Sequence, residues 1–176
     1  ASRARRVKRS GAPIAWGHET ARLLFVCYLT GLVNLVLVPN NFWTYVWFYV
    51  RNGYPGGELR LFSGGANFVP TLYRCLTGEL ELGPWVREML FGNFLMFVPM
   101  GVLLPLAVKK VTGRTIPLAA IAIPAVVETL QPIVGRSFDV DDLICNFLGI
   151  LLGYLLVSAV RSVARRREGA SRKARG

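Results

Sequence analysis

The sequence predicts an all-α membrane protein, a polytopic bundle of four transmembrane helices. Its 176 residues are 53% hydrophobic and only 18% charged, with a mean hydropathy of +0.42, which is too apolar for an ordinary soluble domain. Its 21 basic residues outnumber its 10 acidic residues and concentrate at the two ends of the chain. Apolar stretches of membrane-crossing length lie between those ends. These observations argue against a soluble all-β fold, a disordered regulator and a cytosolic enzyme.

The four apolar stretches set the expected spans. A helix that crosses about 30 Å of hydrocarbon needs roughly 20 mostly apolar residues. Four stretches have or approach this length, and Glu128 is the only acidic residue within them. We therefore predict transmembrane helices at residues 21–38, 89–108, 115–134 and 143–160.

The connection between the first and second spans, residues 40–88, begins with a dense run of aromatic residues. Aromatic rings with a polar edge are typical of the membrane–water boundary. The stretch 42–50 is too short to span, so two alternatives stay open: a loop, or a short re-entrant or interfacial segment. The run contains Phe42, Trp43, Tyr45, Trp47, Phe48 and Tyr49.

The distribution of basic residues predicts the orientation. Five precede residue 10, seven follow residue 160, and Lys109, Lys110 and Arg114 lie between the second and third spans without an acid. Since basic loops favour the cytoplasm, we expect both termini inside. The predicted domains are a basic cytoplasmic tail (1–19), a transmembrane domain (20–160) and a second basic cytoplasmic tail (161–176). We expect these tails to attract anionic head groups rather than nucleic acid.

In this orientation, polar residues from three spans and one loop converge at the outer face. Glu128 and Gln131 are three residues apart and share a helix face. Asp142, Asn146, Gly149 and Gly153 form one stripe along the fourth span. The converging set is Asn93, Glu128, Gln131, Arg136, Asp139, Asp142 and Asn146. A polar cleft that opens at the outer leaflet accounts for all of them.

Each feature also has a purely structural interpretation. Glu128 and Arg136 could form an ion pair that holds two helices together. Asp139 could cap the fourth helix, because a carboxylate near a helix N-terminus is favourable. Gly149 and Gly153 form a small-xxx-small pattern that favours close helix–helix association.

No cofactor or metal site is predicted. Cys27, Cys75 and Cys145 are too widely spaced for a metal-binding motif, and His18 has no ligand partner nearby in the sequence.

Two groups of motifs carry a family resemblance. Asn93-Phe-Leu-Met-Phe-Val-Pro99-Met-Gly101 resembles the Asn-containing Phe-x-Pro-x-Gly helix of the VanZ-like bacterial membrane proteins. Residues 128–131, 136–139 and 142–149 are similar to that family's Glu-x-x-Gln, Arg-x-x-Asp and Asp-x-x-x-Asn-x-x-Gly run. The resemblance covers roughly residues 20 to 160. It implies a multi-pass protein of the bacterial cytoplasmic membrane, in a family named for a protein that gives low-level resistance to the lipidated glycopeptide teicoplanin.

Two functional hypotheses follow. In the first, the outer cleft binds or modifies an amphiphile: a lipid, a lipid-linked sugar or a lipoglycopeptide. Arg136 would pair with a phosphate or carboxylate, the Asn and Gln side chains would bond polar groups, and Trp43 and Trp47 would pack on the chain or sugar. If a reaction is catalysed, Glu128 with Asp139 or Asp142 is the acid/base pair on offer. In the second hypothesis, the protein has a structural or assembly role and the polar cluster is an internal latch.

Overall fold

The computed structural model describes residues 16–39, 42–54, 61–81 and 83–173. Six α-helices lie within these ranges, with one 3₁₀ turn and two short β-strands between them. The elements are α1 (Trp16–Leu37), α2 (Phe42–Asn52), β1 (Ala66–Asn67), α3 (Thr71–Leu76), α4 (Pro84–Ala107), α5 (Ile116–Leu130), the 3₁₀ turn Gln131–Val134, β2 (Phe138–Asp139) and α6 (Val140–Lys173).

Four of the helical segments are long and apolar enough to cross a membrane, and they confirm the predicted membrane bundle. They are Trp16–Leu37, Pro84–Ala107, Ile116–Val134 and Val140–Ser171. The last helix continues beyond the predicted end of its span because Arg, Ala and Lys are good helix formers and no proline interrupts it. The predicted C-terminal tail is therefore helical as far as Lys173, whereas most of the predicted N-terminal tail lies outside the described residues.

Glycines bring α4 and α6 into close contact. A Cβ atom on Gly149 would lie 2.3 Å from the carbonyl oxygen of Phe94, and one on Gly153 would lie 2.1 Å from that of Val98. On the facing helix, a Cβ on Gly101 would lie 2.0 Å from the carbonyl oxygen of Ile150. The stripe predicted for close helix approach thus packs within this chain. The core beside it contains Phe97, Met100, Ala120 and Ile150.

The transition from α5 to α6 is a tight turn. Pro132 has no N–H to continue the α-helical ladder, and the chain passes into the 3₁₀ turn Gln131–Val134. Gly135 then adopts a left-handed conformation with φ of 76°, which glycine accepts without steric cost. This turn delivers residues 136–142 to the same end of the bundle at which α4 begins. We call this the polar end, defined by Asn93, Glu128 and Asp142.

The connection between α1 and α4 forms helix α2 and a loop that packs on the polar end. At 11 residues, α2 is about 16 Å long and cannot span the bilayer. In the loop, β1 pairs in parallel with β2, so that Ala66 lies opposite Phe138 and Asn67 opposite Asp139. The Phe62 N–H also donates to the carbonyl of Ile133 at 3.1 Å. Residues 61–81 therefore attach directly to the segment that carries the predicted site.

At the opposite end, which we call the basic end, side chains satisfy the last carbonyls of α4. Helix C-termini leave carbonyl groups without backbone partners, and cationic donors are favourable there. Arg161 donates to the carbonyl of Pro105 at 3.2 Å, and Arg22 donates to that of Ala107 at 3.3 Å. The Nδ1 atom of His18 lies 2.9 Å from the carbonyl oxygen of Leu106. The start of α1, the end of α4 and the later part of α6 thus meet on one side.

Candidate functional site

A hydrogen bond between α4 and α6 marks the centre of the polar end. The side-chain amide of Asn93 donates to Oδ1 of Asp142. Both side chains are half-buried. The bond joins the motif on the second predicted span to the start of the fourth, two elements that the sequence analysis assigned to one outer cluster.

Glu128 is the most deeply buried acidic group of the cluster, with 0% of its surface exposed. Its Oε2 atom accepts a hydrogen bond from the backbone N–H of Asp139 at 3.2 Å. With its amide oriented to donate, Gln131 approaches the same oxygen at 2.9 Å and the carbonyl of Ser137 at 3.1 Å. The other oxygen, Oε1, has no hydrogen-bond partner within the described part of the chain.

Asn146 lies one helical turn beyond Asp142 and is only 3% exposed. Its Oδ1 atom is a second buried acceptor for which the described residues supply no donor. A buried oxygen without a hydrogen bond is costly, on the order of 1–3 kcal/mol. The two oxygens lie on neighbouring helices, α5 and α6, at the polar end.

Arg136 connects the cluster with α1. Its guanidinium donates to the carbonyl of Leu35, in the last turn of that helix, at 2.7 Å. It also attracts the carboxylates of Glu128 and Asp142 electrostatically. Asp139 acts in the opposite direction and repels both carboxylates. Arg136 is therefore a cation that joins the segment before α6 to α1. The acids around it repel one another.

Asp139 combines the cap expected from the sequence with contacts that the sequence did not indicate. Its Oδ1 atom accepts from the backbone N–H of Asp141 at 2.9 Å, which is the hydrogen bond of a helix N-cap. The same oxygen accepts from the side chain of Asn67 at 3.1 Å. Arg74 in turn donates to Asn67 at 3.1 Å.

Asp141, which the sequence analysis did not select, anchors helix α3. Both of its carboxylate oxygens accept from the backbone N–H of Thr71 at 2.9 Å, and one accepts from the Thr71 hydroxyl at 2.5 Å. Both residues are buried. The one available sequence signal was the Asp141–Asp142 pair, in which adjacent acids on a helix must point in different directions.

The structure does not link the two tryptophans to this cluster. Trp43 and Trp47 lie on α2, are 57% and 59% exposed, and make no hydrogen bond to the cluster among the described residues. The indole N–H of Trp43 donates to Asn34 of α1 at 3.2 Å, and Arg51 lies over the ring of Trp47 at 5.1 Å. Their assignment as ligand contacts remains a prediction.

The side chains at the polar end are oxygen donors and acceptors, and no group of three or more His, Cys, Asp or Glu residues in the described ranges is arranged to hold a metal ion. The carboxylates can accept hydrogen bonds or exchange protons, and Arg136 can pair with an anion.

Together, the fold and the site define a helical membrane protein with four candidate spans, whose polar residues converge at one end of the bundle. A sequence model of the VanZ/LLP1 family matches residues 25–161, which is most of the chain. The chain therefore belongs to the VanZ/LLP1 family. Neither the curated proteins nor the solved structures include a match to it.

Proposed function

We propose that the polar end forms a cleft at the outer leaflet that binds or modifies an amphiphile: a lipid, a lipid-linked sugar or a lipoglycopeptide. The proposal rests on one observation: Glu128 is fully buried, and its Oε1 atom has no hydrogen-bond donor among the described residues. Acidic residues at membrane depth are costly and usually mark a functional site or a pair. A head group with hydroxyl, amide or ammonium donors would supply the absent hydrogen bond.

In this proposal Arg136 binds a phosphate or carboxylate of the head group, and Asn93 and Asn146 bind its polar substituents. Residues 61–81 cover the cleft. They hydrogen-bond to the segment that contains Asp139, whose backbone N–H donates to Glu128. If the ligand is modified, Glu128 is one member of the acid/base pair and Asp142 or Asp139 is the other.

We also propose that the protein lies in the bacterial inner membrane with both termini in the cytoplasm. The loop charges support this orientation. The contacts of Arg22 and Arg161 with the end of α4 support termini on a common side. In spheroplasts, a membrane-impermeant thiol reagent should label Cys75, whereas a Lys110→Cys variant should gain no further label. Labelling at position 110 but not at position 75 would show that the protein has the opposite orientation.

The binding proposal is tested by mass spectrometry of lipids that co-purify with the protein. Wild type should retain a lipid species that Glu128→Gln and Arg136→Gln lose. The matched controls are Glu168→Gln and Arg114→Gln, which make the same chemical changes at exposed positions away from the cluster. Retention of the same species by all four variants would refute a role for the cluster in binding.

Resistance is a separate test of the ligand's identity. In a susceptible Gram-positive host, expression should raise tolerance to lipidated glycopeptides more than to unlipidated ones, because a fatty chain holds the head group at the membrane surface. Glu128→Ala, Arg136→Ala and Asp142→Ala should each abolish the difference. An equal shift for both drug types would point to altered cell-wall supply instead.

A structural role is the second candidate, favoured by the hydrogen bond between Asn93 and Asp142. This bond joins α4 to α6, as expected of an internal latch. A latch predicts that Glu128→Ala or Arg136→Ala lowers the folded, detergent-extracted yield severely. A ligand site predicts nearly intact yield with loss of the co-purifying species. The yield therefore distinguishes the two functions.

A further inference from the structure

A second polar surface lies at the basic end, on the part of α6 that leaves the apolar span. Six residues of α6 line a groove of about 350 Å³: Tyr154, Ser158, Arg161, Ser162, Arg165 and Arg166. At 100° per residue these positions fall within an arc of about 140°, so they share one face of the helix. We call this set the Ser/Arg stripe.

The hydroxyl groups of the stripe are available to an external partner. Tyr154, Ser158 and Ser162 make no hydrogen bond within the described part of the chain. By contrast, Thr30 and Thr129 on other spans donate to the carbonyl four residues earlier, at 3.0 and 2.6 Å. The stripe thus presents neutral hydroxyl donors beside guanidinium groups, a combination that suits a phosphate.

Arg161 fixes the position of the stripe relative to the rest of the bundle. Its bond to the carbonyl of Pro105 holds the stripe against the end of α4. The link that follows α4 also approaches it, because a Cβ atom on Gly113 would lie 2.9 Å from the hydroxyl oxygen of Tyr154. That link contains Lys109, Lys110 and Arg114, which add positive charge to the link beside the stripe.

The depth of the stripe matches the head-group layer. The apolar stretch 143–160 ends immediately before Arg161. Ser158 precedes that boundary by about 4.5 Å along the helix, and Arg165 follows it by about 6 Å. Residues 161–168 contain four arginines and one glutamate, so the local charge is positive.

We propose that the Ser/Arg stripe is a binding site for the phosphate head group of an anionic membrane phospholipid. The site is separate from the cleft at the polar end and lies at the opposite boundary of the bilayer. Arg165 and Arg161 pair with the phosphate, and the hydroxyls of Ser158 and Ser162 complete its hydrogen bonds. This differs from diffuse attraction of a basic tail, because only one face of α6 carries the site.

The experiment compares two arginines that are two residues apart and lie on opposite faces of the helix. Arg165 lies in the stripe, whereas Arg167 lies about 200° away around the helix, and both are exposed. Native mass spectrometry of the full chain in detergent counts bound phosphatidylglycerol and phosphatidylcholine with identical acyl chains. Wild type should bind phosphatidylglycerol at least about tenfold more tightly, and Arg165→Gln should lower that affinity about fivefold or more. Arg167→Gln should change it less than about twofold.

A hydroxyl variant separates the site from charge alone. The double change Ser158→Ala and Ser162→Ala keeps every arginine and should still weaken phosphatidylglycerol binding. Equal losses in Arg165→Gln and Arg167→Gln would overturn the proposal in favour of diffuse charge. Equal binding of the two lipids by wild type would overturn it without any variant. Displacement of the lipid by millimolar inorganic phosphate would assign the stripe to a soluble anion instead and would also overturn it.

Discussion

The close packing of α4 on α6 gives a quantitative test at Gly153. In a Gly153→Ala variant, the new methyl group would lie 2.1 Å from the Val98 carbonyl oxygen and 3.0 Å from the Gly101 Cα and the Val102 nitrogen. All three are backbone atoms, so no side chain can rotate away and the helices must separate. Overpacking of this kind costs about 1–3 kcal/mol.

Gly92→Ala is the matched control within α4, since a Cβ atom there would meet nothing within 4 Å. It should instead gain about 0.5–1 kcal/mol from the better helix propensity of alanine. The two variants should therefore differ in unfolding free energy by about 1.5–4 kcal/mol, or roughly 3–15 °C in thermal midpoint for a chain of this size. The assay is size-exclusion chromatography of detergent-solubilised protein after stepwise heating. Equal midpoints would refute the packing that the structure gives.

Three further predictions concern single side chains. Asp141→Asn should weaken the bonds to Thr71 and raise the rate at which a thiol reagent labels Cys75 on α3, by about fivefold or more, and an unchanged rate would show that Asp141 does not hold the loop. Arg22→Gln should lower the thermal midpoint by roughly 2–4 °C, because the last carbonyl of α4 loses a charged donor, and an unchanged midpoint would argue against this cap. Glu128→Gln keeps the side-chain shape and removes a buried charge, so its midpoint should equal or exceed that of wild type, and a clear fall would indicate that the charge stabilises the fold.

The spans could be predicted from the sequence because the bilayer imposes a length and an apolar composition on each helix. The meeting of Asn93 with Asp142 followed from the same argument: once alternating spans have opposite directions, the start of the second and the start of the fourth lie at one end. The stripe of Gly149 and Gly153 was equally readable, because its spacing places both residues on one helix face.

The contribution of residues 61–81 could not be predicted. Asn67 and Asp139 are 72 residues apart, and the two-residue strands that join them have no periodicity of their own. Thr71 meets Asp141 through a helix of only six residues. Such contacts depend on how a long connection folds back on the bundle, and no local pattern encodes that. The composition of the aromatic run predicted a boundary environment. It did not indicate which partners Trp43 and Trp47 would have.

The unbroken length of α6 has a mechanical consequence. At 1.5 Å per residue its 34 residues extend about 51 Å, well beyond the roughly 30 Å of hydrocarbon, and it contains no proline. Asp142 and Arg165 therefore sit on one stiff rod, about 35 Å apart, on either side of the Gly149–Gly153 contact. With that contact as a fulcrum, a 10° tilt would swing the two residues in opposite directions by roughly 2–4 Å each. A ligand that displaces one end of α6 would therefore move the other end in the opposite direction, while the helix itself keeps its conformation.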